Sequence, residues 1–167
     1  MGSDEHRAQA PHTVNFVVIT LSDRRTKEDD YSGKVIREAL TVAGHREIAY
    51  ELIPNDSHAL ENLIEQFAQR RDVDVIITTG GTGISRKDIT IETLTPKLQK
   101  KLDGFGEIFR MLSYQRIGSA AIMSRAMAGV MNGKVVICLP GSADAVKLAI
   151  TEILLNELGH MVWEAKK

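Results

Sequence analysis

Thr78-Thr79-Gly80-Gly81-Thr82-Gly83-Ile84-Ser85-Arg86-Lys87-Asp88 is the segment from which the rest of the chain can be read. Val73 to Ile77 before it is apolar and rich in β-branched residues, the composition of a buried parallel strand. Ile89-Thr90-Ile91-Glu92 after it reads as the opening of a helix capped by Thr90. Strand, glycine loop and helix start form the layout in which backbone N–H groups converge on an anion, phosphate being the first candidate. Gly80 and Gly81 can take positive φ and carry no Cβ, so the chain can turn sharply and a ligand can approach the backbone. Thr82 offers a hydroxyl, Gly83 a second close approach, and Arg86 and Lys87 positive charge; Asp88 offers a carboxylate able to bind Mg2+ through oxygen or water. A cation and a carboxylate beside a phosphate nest suit phosphoryl or nucleotidyl transfer better than hydride transfer. The P-loop pattern is absent, and Arg86 stands where the dinucleotide fingerprint requires glycine or alanine. Glycines after a strand also make ordinary turns, so the loop alone does not decide between a turn and a ligand site.

The length of 167 residues suits one domain that buries roughly two-thirds of its unfolded surface. A net charge of −1 with no basic stripe argues against a nucleic-acid partner. No apolar run approaches a membrane span, and the polar stretch Met1 to Pro11 is unlike a signal sequence; a cytoplasmic protein without membrane contact is expected. Cys138, the single cysteine, lies in Val135-Val136-Ile137-Cys138-Leu139 and reads as a small core residue. His6, His12, His45, His58 and His160 show no metal-ligand spacing and read as surface or tail positions.

In chain order, residues 1–13 read as a flexible or loosely docked tail, and 14–167 as the single domain. Val14 to Leu21 is a continuously apolar parallel strand ending at Ser22-Asp23-Arg24-Arg25, on the edge where open α/β sheets bind ligands. Lys27 to Tyr31 reads as a solvated loop. Val35, Ile36, Ala39, Leu40 and Ala43 follow helical spacing, with Gly44 as the stop. A second strand, about Glu47 to Ile53, ends at Pro54-Asn55-Asp56-Ser57; Asp56 or Ser57 caps a helix whose Leu60, Leu63, Ile64, Phe67 and Ala68 form one face. After the glycine loop come a helical segment broken near Pro96 and a helix from Ile108 to Tyr114, with Ile108, Phe109, Met111 and Leu112 as packing residues. Ala120 to Met127 allows a strand or a buried helix. Asn132-Gly133 signals a turn, and Lys134 to Leu139 is a core strand. Ser142 caps a last helix carrying Val146, Ala149, Ile150, Ile153, Leu154 and Leu158, closed by Gly159. Because the ends of parallel strands share one edge, Ser22-Asp23, Gly80 to Asp88 and Pro140-Gly141-Ser142 can share one cleft.

Ile19 to Arg24, Thr79 to Ile84, Arg86 to Glu92, Gly104 to Glu107, Met111 to Tyr114, Ser124-Arg125-Ala126 and Leu139 to Ser142 together resemble the MoaB/MogA family of molybdenum cofactor biosynthesis, most closely its MoaB branch. The likeness runs from about Val14 to the last helix. It implies a Rossmann-like three-layer α/β/α sandwich with a mostly parallel sheet. It also implies a molybdopterin adenylyltransferase: the terminal phosphate of molybdopterin attacks the α-phosphate of ATP with Mg2+, giving adenylated molybdopterin and pyrophosphate. By the same resemblance Asp88 is the acid required for transfer and the Mg2+ ligand. Gly80, Gly81, Thr82 and Gly83 hold phosphate or pterin, together with Arg86 and Thr90. Ser22 and Asp23 line the nucleotide side, and Ser124, Pro140, Gly141 and Ser142 form the rim. Active members place a second acid directly after the proline, whereas Asp56 follows Pro54-Asn55; Asp56 is thus either a second magnesium-linked carboxylate or a helix cap. The resemblance further implies a homo-oligomer, trimer or hexamer, and a molybdenum-insertion enzyme as partner. A catalytically weak or inactive molybdopterin-binding protein is the alternative within the same pathway.

Overall fold

The computed structural model describes residues 3–167. Strands β1 (Asn15–Leu21), β2 (Arg46–Ile53), β3 (Val75–Thr79), β4 (Lys100–Lys101), β5 (Met127–Met131) and β6 (Lys134–Leu139) form one sheet in the order β2-β1-β3-β6-β5-β4. The four strands β2, β1, β3 and β6 are parallel. The sheet then reverses, with β5 antiparallel to β6 and to β4. The alternation of side chains along each central strand divides the core in two. Phe16, Val18, Val75, Ile77, Val135, Ile137 and Leu139 point to a face covered by α2 (Tyr31–Val42), α5 (Asp103–Ile117), α6 (Ala143–Ala149) and α7 (Leu155–Ala165). Val17, Ile19, Ile76, Val136 and Cys138 point to the other face, covered by α3 (Ser57–Gln69) and α4 (Thr90–Leu94). Strands buried on both faces have no polar side to alternate, which is why they read as continuous apolar runs.

Register places Leu21 beside Ile53, Thr20 beside Thr79, and Thr79 beside Leu139, so the four parallel strands end level. The connection from β1 leads to β2 on one side, while β3 lies on the other. The crevice of such a switch point is where open α/β sheets bind ligands.

Several local expectations are corrected. The third strand begins at Val75 and extends through Thr79, two residues later than the apolar run suggested. Lys27 to Tyr31 is not simply solvated: Asp30 is buried and caps α2, accepting from the Gly33 N–H at 3.1 Å, the Thr20 hydroxyl at 2.6 Å and the Tyr50 hydroxyl at 2.5 Å. A buried carboxylate with three donors is satisfied despite its burial. The helix expected from Ile108 to Tyr114 runs the full length of α5; Phe109 is fully buried, but Ile108 and Met111 face outward. Ala120 to Met127 is neither strand nor helix throughout: a 3-10 turn spans Gly118–Met123, and β5 starts only at Met127. Gly159 does not close the last helix. After a π-helical turn at Ile150–Leu154 the helix continues through Gly159 to Ala165. A Cβ at Gly159 would come within 2.6 Å of the Pro11 carbonyl oxygen, so close approach of the N-terminal segment is the reason for glycine there. The same segment forms α1 (Ser3–Gln9), which packs on α7.

Candidate functional site

The loops after β1, β2, β3 and β6 meet at the level strand ends. Gly80 has φ of 94° and Gly81 of 66°, values that L side chains rarely adopt. A Cβ on Gly80 would collide with the Leu21 carbonyl oxygen, and one on Gly81 with the Thr90 hydroxyl. The loop is moored to its neighbours: the Gly80 N–H donates to the Leu139 carbonyl at 3.1 Å, and the Thr79 hydroxyl to the Pro140 carbonyl at 2.8 Å. The Thr90 hydroxyl donates to the Gly80 carbonyl at 2.8 Å, and the Thr90 N–H to the Gly81 carbonyl at 2.9 Å. Thr90 is therefore not the helix cap read from the sequence. Ile89 occupies the cap position, while the buried Thr90 braces the loop from inside the first turn of α4. Among the described residues, the N–H groups of Gly81, Thr82 and Gly83 make no hydrogen bond. They are the donors left for an anion.

Asp88 lies across the mouth of the loop. Its Oδ2 accepts from the Ser85 N–H at 3.0 Å and the Ser85 hydroxyl at 2.7 Å, and a Cβ on Gly83 would come within 2.6 Å of the same oxygen. Both hydrogen bonds fall on Oδ2. With Gly83, Ser85, Arg86, Glu92 and Arg125, Asp88 lines an open groove of about 630 Å³. A hard-oxygen carboxylate at the edge of a phosphate-sized nest fits Mg2+, which is held through one or two carboxylates plus substrate phosphates and waters.

The loop after β1 lies at the same sheet edge as the glycine loop. Ser22 Oγ accepts from the N–H groups of Arg24 and Arg25 at 3.3 and 3.0 Å. Asp23 accepts from the Asn55 N–H at 2.8 Å; that hydrogen bond, aided by the positive charges of Lys87 and Arg24, holds its carboxyl below the usual range. Asp56 caps α3, its Oδ1 accepting from the Ala59 N–H at 2.7 Å. Ser142 caps α6 through the Ala145 N–H at 3.2 Å. Gly141 lies against Gly80: a Cβ there would sit 3.4 Å from the Gly80 Cα. The Gly141 carbonyl is fixed by the Ser32 hydroxyl at 2.5 Å and by Arg25 at 3.1 Å. Ser22, Asp23, Gly80 to Gly83, Asp88, Thr90 and Pro140 to Ser142 are thus drawn to one edge. Asp56 is at the same edge, engaged as a cap, and Arg86 is exposed on the groove wall.

Two residues escaped the sequence reading. Arg125 follows Ser124 two residues before β5; because β5 runs opposite to β6, its beginning lies at the edge where the parallel strands end. Arg125 Nε donates to the Thr82 carbonyl at 2.7 Å, and its two terminal nitrogens grip both oxygens of Glu92 at 2.6 and 3.1 Å. That bidentate grip holds the Glu92 carboxyl below its ordinary value. Asn55 is the other: its Oδ1 is buried without a donor, and a Cβ on Gly81 would come within 2.7 Å of it. The signal for Arg125 was present in Ser124-Arg125-Ala126, but a lone arginine carries no hint that an antiparallel turn returns it to the loop.

Comparison with known proteins agrees with this geometry. Residues 17–160 match a family model described as a probable molybdopterin binding domain. A Bacillus subtilis (strain 168) protein named molybdenum cofactor biosynthesis protein B is 48% identical over 168 residues, spanning 100% of this chain and 99% of its own. A Pyrococcus furiosus protein named molybdopterin adenylyltransferase is 43% identical over 174 residues, spanning 100% of both chains. A crystal structure of a molybdenum cofactor biosynthesis protein B superposes with a TM-score of 0.90 at 44% identity, covering 94% of this chain and 98% of the other. With level strand ends, a braced glycine loop and full-length relatives in agreement, the chain belongs to the MoaB/MogA family of molybdenum cofactor biosynthesis, on its MoaB branch.

Proposed function

We propose that this protein is a molybdopterin adenylyltransferase, transferring the adenylyl group of Mg-ATP to the terminal phosphate of molybdopterin with release of pyrophosphate. The observation that carries the reading is the meeting of the Gly80 to Gly83 loop with Asp88 at the sheet edge that also carries Asp23. The unengaged N–H groups of Gly81, Thr82 and Gly83 hold phosphate oxygens, and Gly80 contributes its open Cα face, its own N–H being taken by Leu139. Arg86 adds positive charge at the wall. Ser22 and Asp23 border the nucleotide, Ser124 and Pro140 to Ser142 the rim, and Thr90 keeps the loop in shape. Asp88, with Asp56 as a second acid, would hold Mg2+, which supplies charge neutralisation on the phosphates when bound. What these side chains contribute is alignment of two anionic groups that repel each other; phosphoryl chemistry needs little more from a protein.

Support for a homo-oligomer, trimer or hexamer, comes from α5 and the turn after it, where Ile108, Met111, Tyr114, Ile117, Ile122 and Met123 are exposed. Residues 14–167 are taken as the single working domain with residues 1–13 appended, acting in the cytoplasm and handing product to a molybdenum-insertion enzyme. The engagement of Asp56 as a helix cap favours a second reading, a pterin-binding protein that turns over weakly or not at all.

Incubation with molybdopterin and Mg-ATP is expected to release pyrophosphate and form adenylated pterin, and Asp88→Asn to abolish both. The substitution keeps an oxygen for Ser85, so the fold should persist. Pterin binding without pyrophosphate selects the second reading; wild type and Asp88→Asn equal to a protein-free control, with no pterin bound, refutes both.

A further inference from the structure

α1 and α7 bring together three side chains that no step of adenylyl transfer uses. His6 on α1 places Nδ1 3.0 Å from Glu164 Oε1; His160, one turn before Glu164 on α7, places Nε2 3.9 Å from the same oxygen. One ligand atom from each of His6, His160 and Glu164 lies within 4.8 Å of the others. The i, i+4 spacing of His160 and Glu164 puts both on one helix face, as two ligands of one ion require. Ligands about 2.0–2.1 Å from a tetrahedral Zn2+ are about 3.3 Å apart, so the triad is within a side-chain adjustment of that arrangement.

The surroundings are also those of a metal centre. The second nitrogen of the His160 ring, Nδ1, is 3.0 Å from Glu157 Oε2, and Glu157 is paired through Oε1 with Arg7 of α1. A carboxylate on the far nitrogen fixes the tautomer and turns Nε2 toward the ion. Lys167 Nζ contacts Glu164 Oε1 at 3.0 Å and would have to yield, but it also lies 3.2 Å over the Trp163 ring, which can retain it. Both ring systems are half-buried, the His6 ring being 5.8 Å from that of His160 and 5.0 Å from that of Trp163.

We propose that His6, His160 and Glu164 form a Zn2+ site that staples α1 to α7, with Glu157 as the orienting carboxylate and an exchangeable water completing the shell. Two imidazoles and one carboxylate suit Zn2+ better than Mg2+ or Ca2+, which take oxygen ligands. The ion would fix the N-terminal segment beside a groove of about 660 Å³ lined by Phe105, Ile108 and Met161, at a place separate from the glycine loop.

The test is titration of the full chain, stripped by chelator, with ZnCl2 against a chromophoric competitor, with Co2+ absorption as a check on geometry. One Zn2+ per chain is expected, with a change in emission of Trp163, the only tryptophan, at the same stoichiometry. His6→Ala and His160→Ala should each weaken binding at least roughly tenfold, and Glu157→Gln roughly ten- to hundredfold. Hydrogen exchange in residues 3–9 should slow on saturation in wild type only. Equal Zn2+ affinity in wild type and the His6→Ala/His160→Ala double variant, or no saturable binding by wild type, would overturn the proposal.

Discussion

Removal of the Arg125 side chain should loosen the glycine loop at Thr82 while removing none of the groups proposed to bind phosphate or metal. Two interactions are lost in Arg125→Ala, and they differ in weight. The ion pair with Glu92 is half-exposed, the side chains retaining 30% and 57% of their accessible surface, so it is worth only about 0.2–1 kcal/mol. The hydrogen bond from Nε to the Thr82 carbonyl comes from a charged donor to a buried residue, which is worth about 1.5–3 kcal/mol. Together they predict a loss of about 2–4 kcal/mol, or roughly 4–16 °C in Tm for a chain of this size. Glu92→Gln removes the ion pair alone and should cost about 0.5 kcal/mol. Arg125→Lys keeps the charge but not the planar fork, and should behave more like Arg125→Ala than like wild type. The assay is urea unfolding of the three variants in parallel with pyrophosphate release, where KM should rise more in Arg125→Ala than in Glu92→Gln. Equal costs for Glu92→Gln and Arg125→Ala would refute the assignment of weight to Thr82. A pH series adds a sign check: the Glu92 carboxyl is depressed in the folded protein, so its contribution is present above the ordinary value of 4.5 and is lost as pH falls through the depressed one. Acidification should therefore narrow the gap between wild type and Glu92→Gln.

Gly80→Ala combines a positive φ with a collision against the Leu21 carbonyl, and should cost about 2 kcal/mol or more in unfolding experiments while displacing the loop enough to suppress pyrophosphate release. Burial of Tyr50, reinforced by its hydrogen bond to Asp30, pushes the phenol well above its usual value, so ultraviolet titration should show one of the three tyrosines resisting ionisation. That stabilisation is complete below pH 10 and is lost as pH rises toward the elevated folded value; Tyr50→Phe should flatten the alkaline limb of the stability profile. Burial pushes the Cys138 thiol up to about 12, and the native protein should react with a thiol reagent no faster than it unfolds.

The parallel half of the sheet was legible because strands covered on both faces must be apolar throughout, and residues such as Val17, Ile76 and Val136 have no alternative partner. The level ends of those strands followed, and with them the gathering of Ser22-Asp23, the glycine loop and Pro140 to Ser142. The antiparallel edge was not legible. Met127-Ala128-Gly129-Val130-Met131 lacks β-branched density, and β4 is only Lys100-Lys101, two exposed lysines whose pairing depends on β5 rather than on their own preference. Thr90 and Gly159 were misread for a related reason. Each occupies a position that local rules assign to a helix terminus, yet its role is set by a distant backbone, that of Gly80 in one case and Pro11 in the other. Asp30 shows the same limit, since nothing in an acidic run marks which carboxylate will find Thr20 and Tyr50.

β6 occupies the middle of the sheet although it is the last strand to be made. During synthesis β1, β2 and β3 can associate as soon as they emerge, but the flank of β3 must wait, unpaired, for some fifty further residues. When β6 arrives it closes that flank and delivers the Leu139 carbonyl to Gly80, so a nascent chain halted before residue 134 would own most of its core and still lack a competent pocket. Chains that end before β6 should therefore leave that flank of β3 open and the Gly80 loop without its anchor.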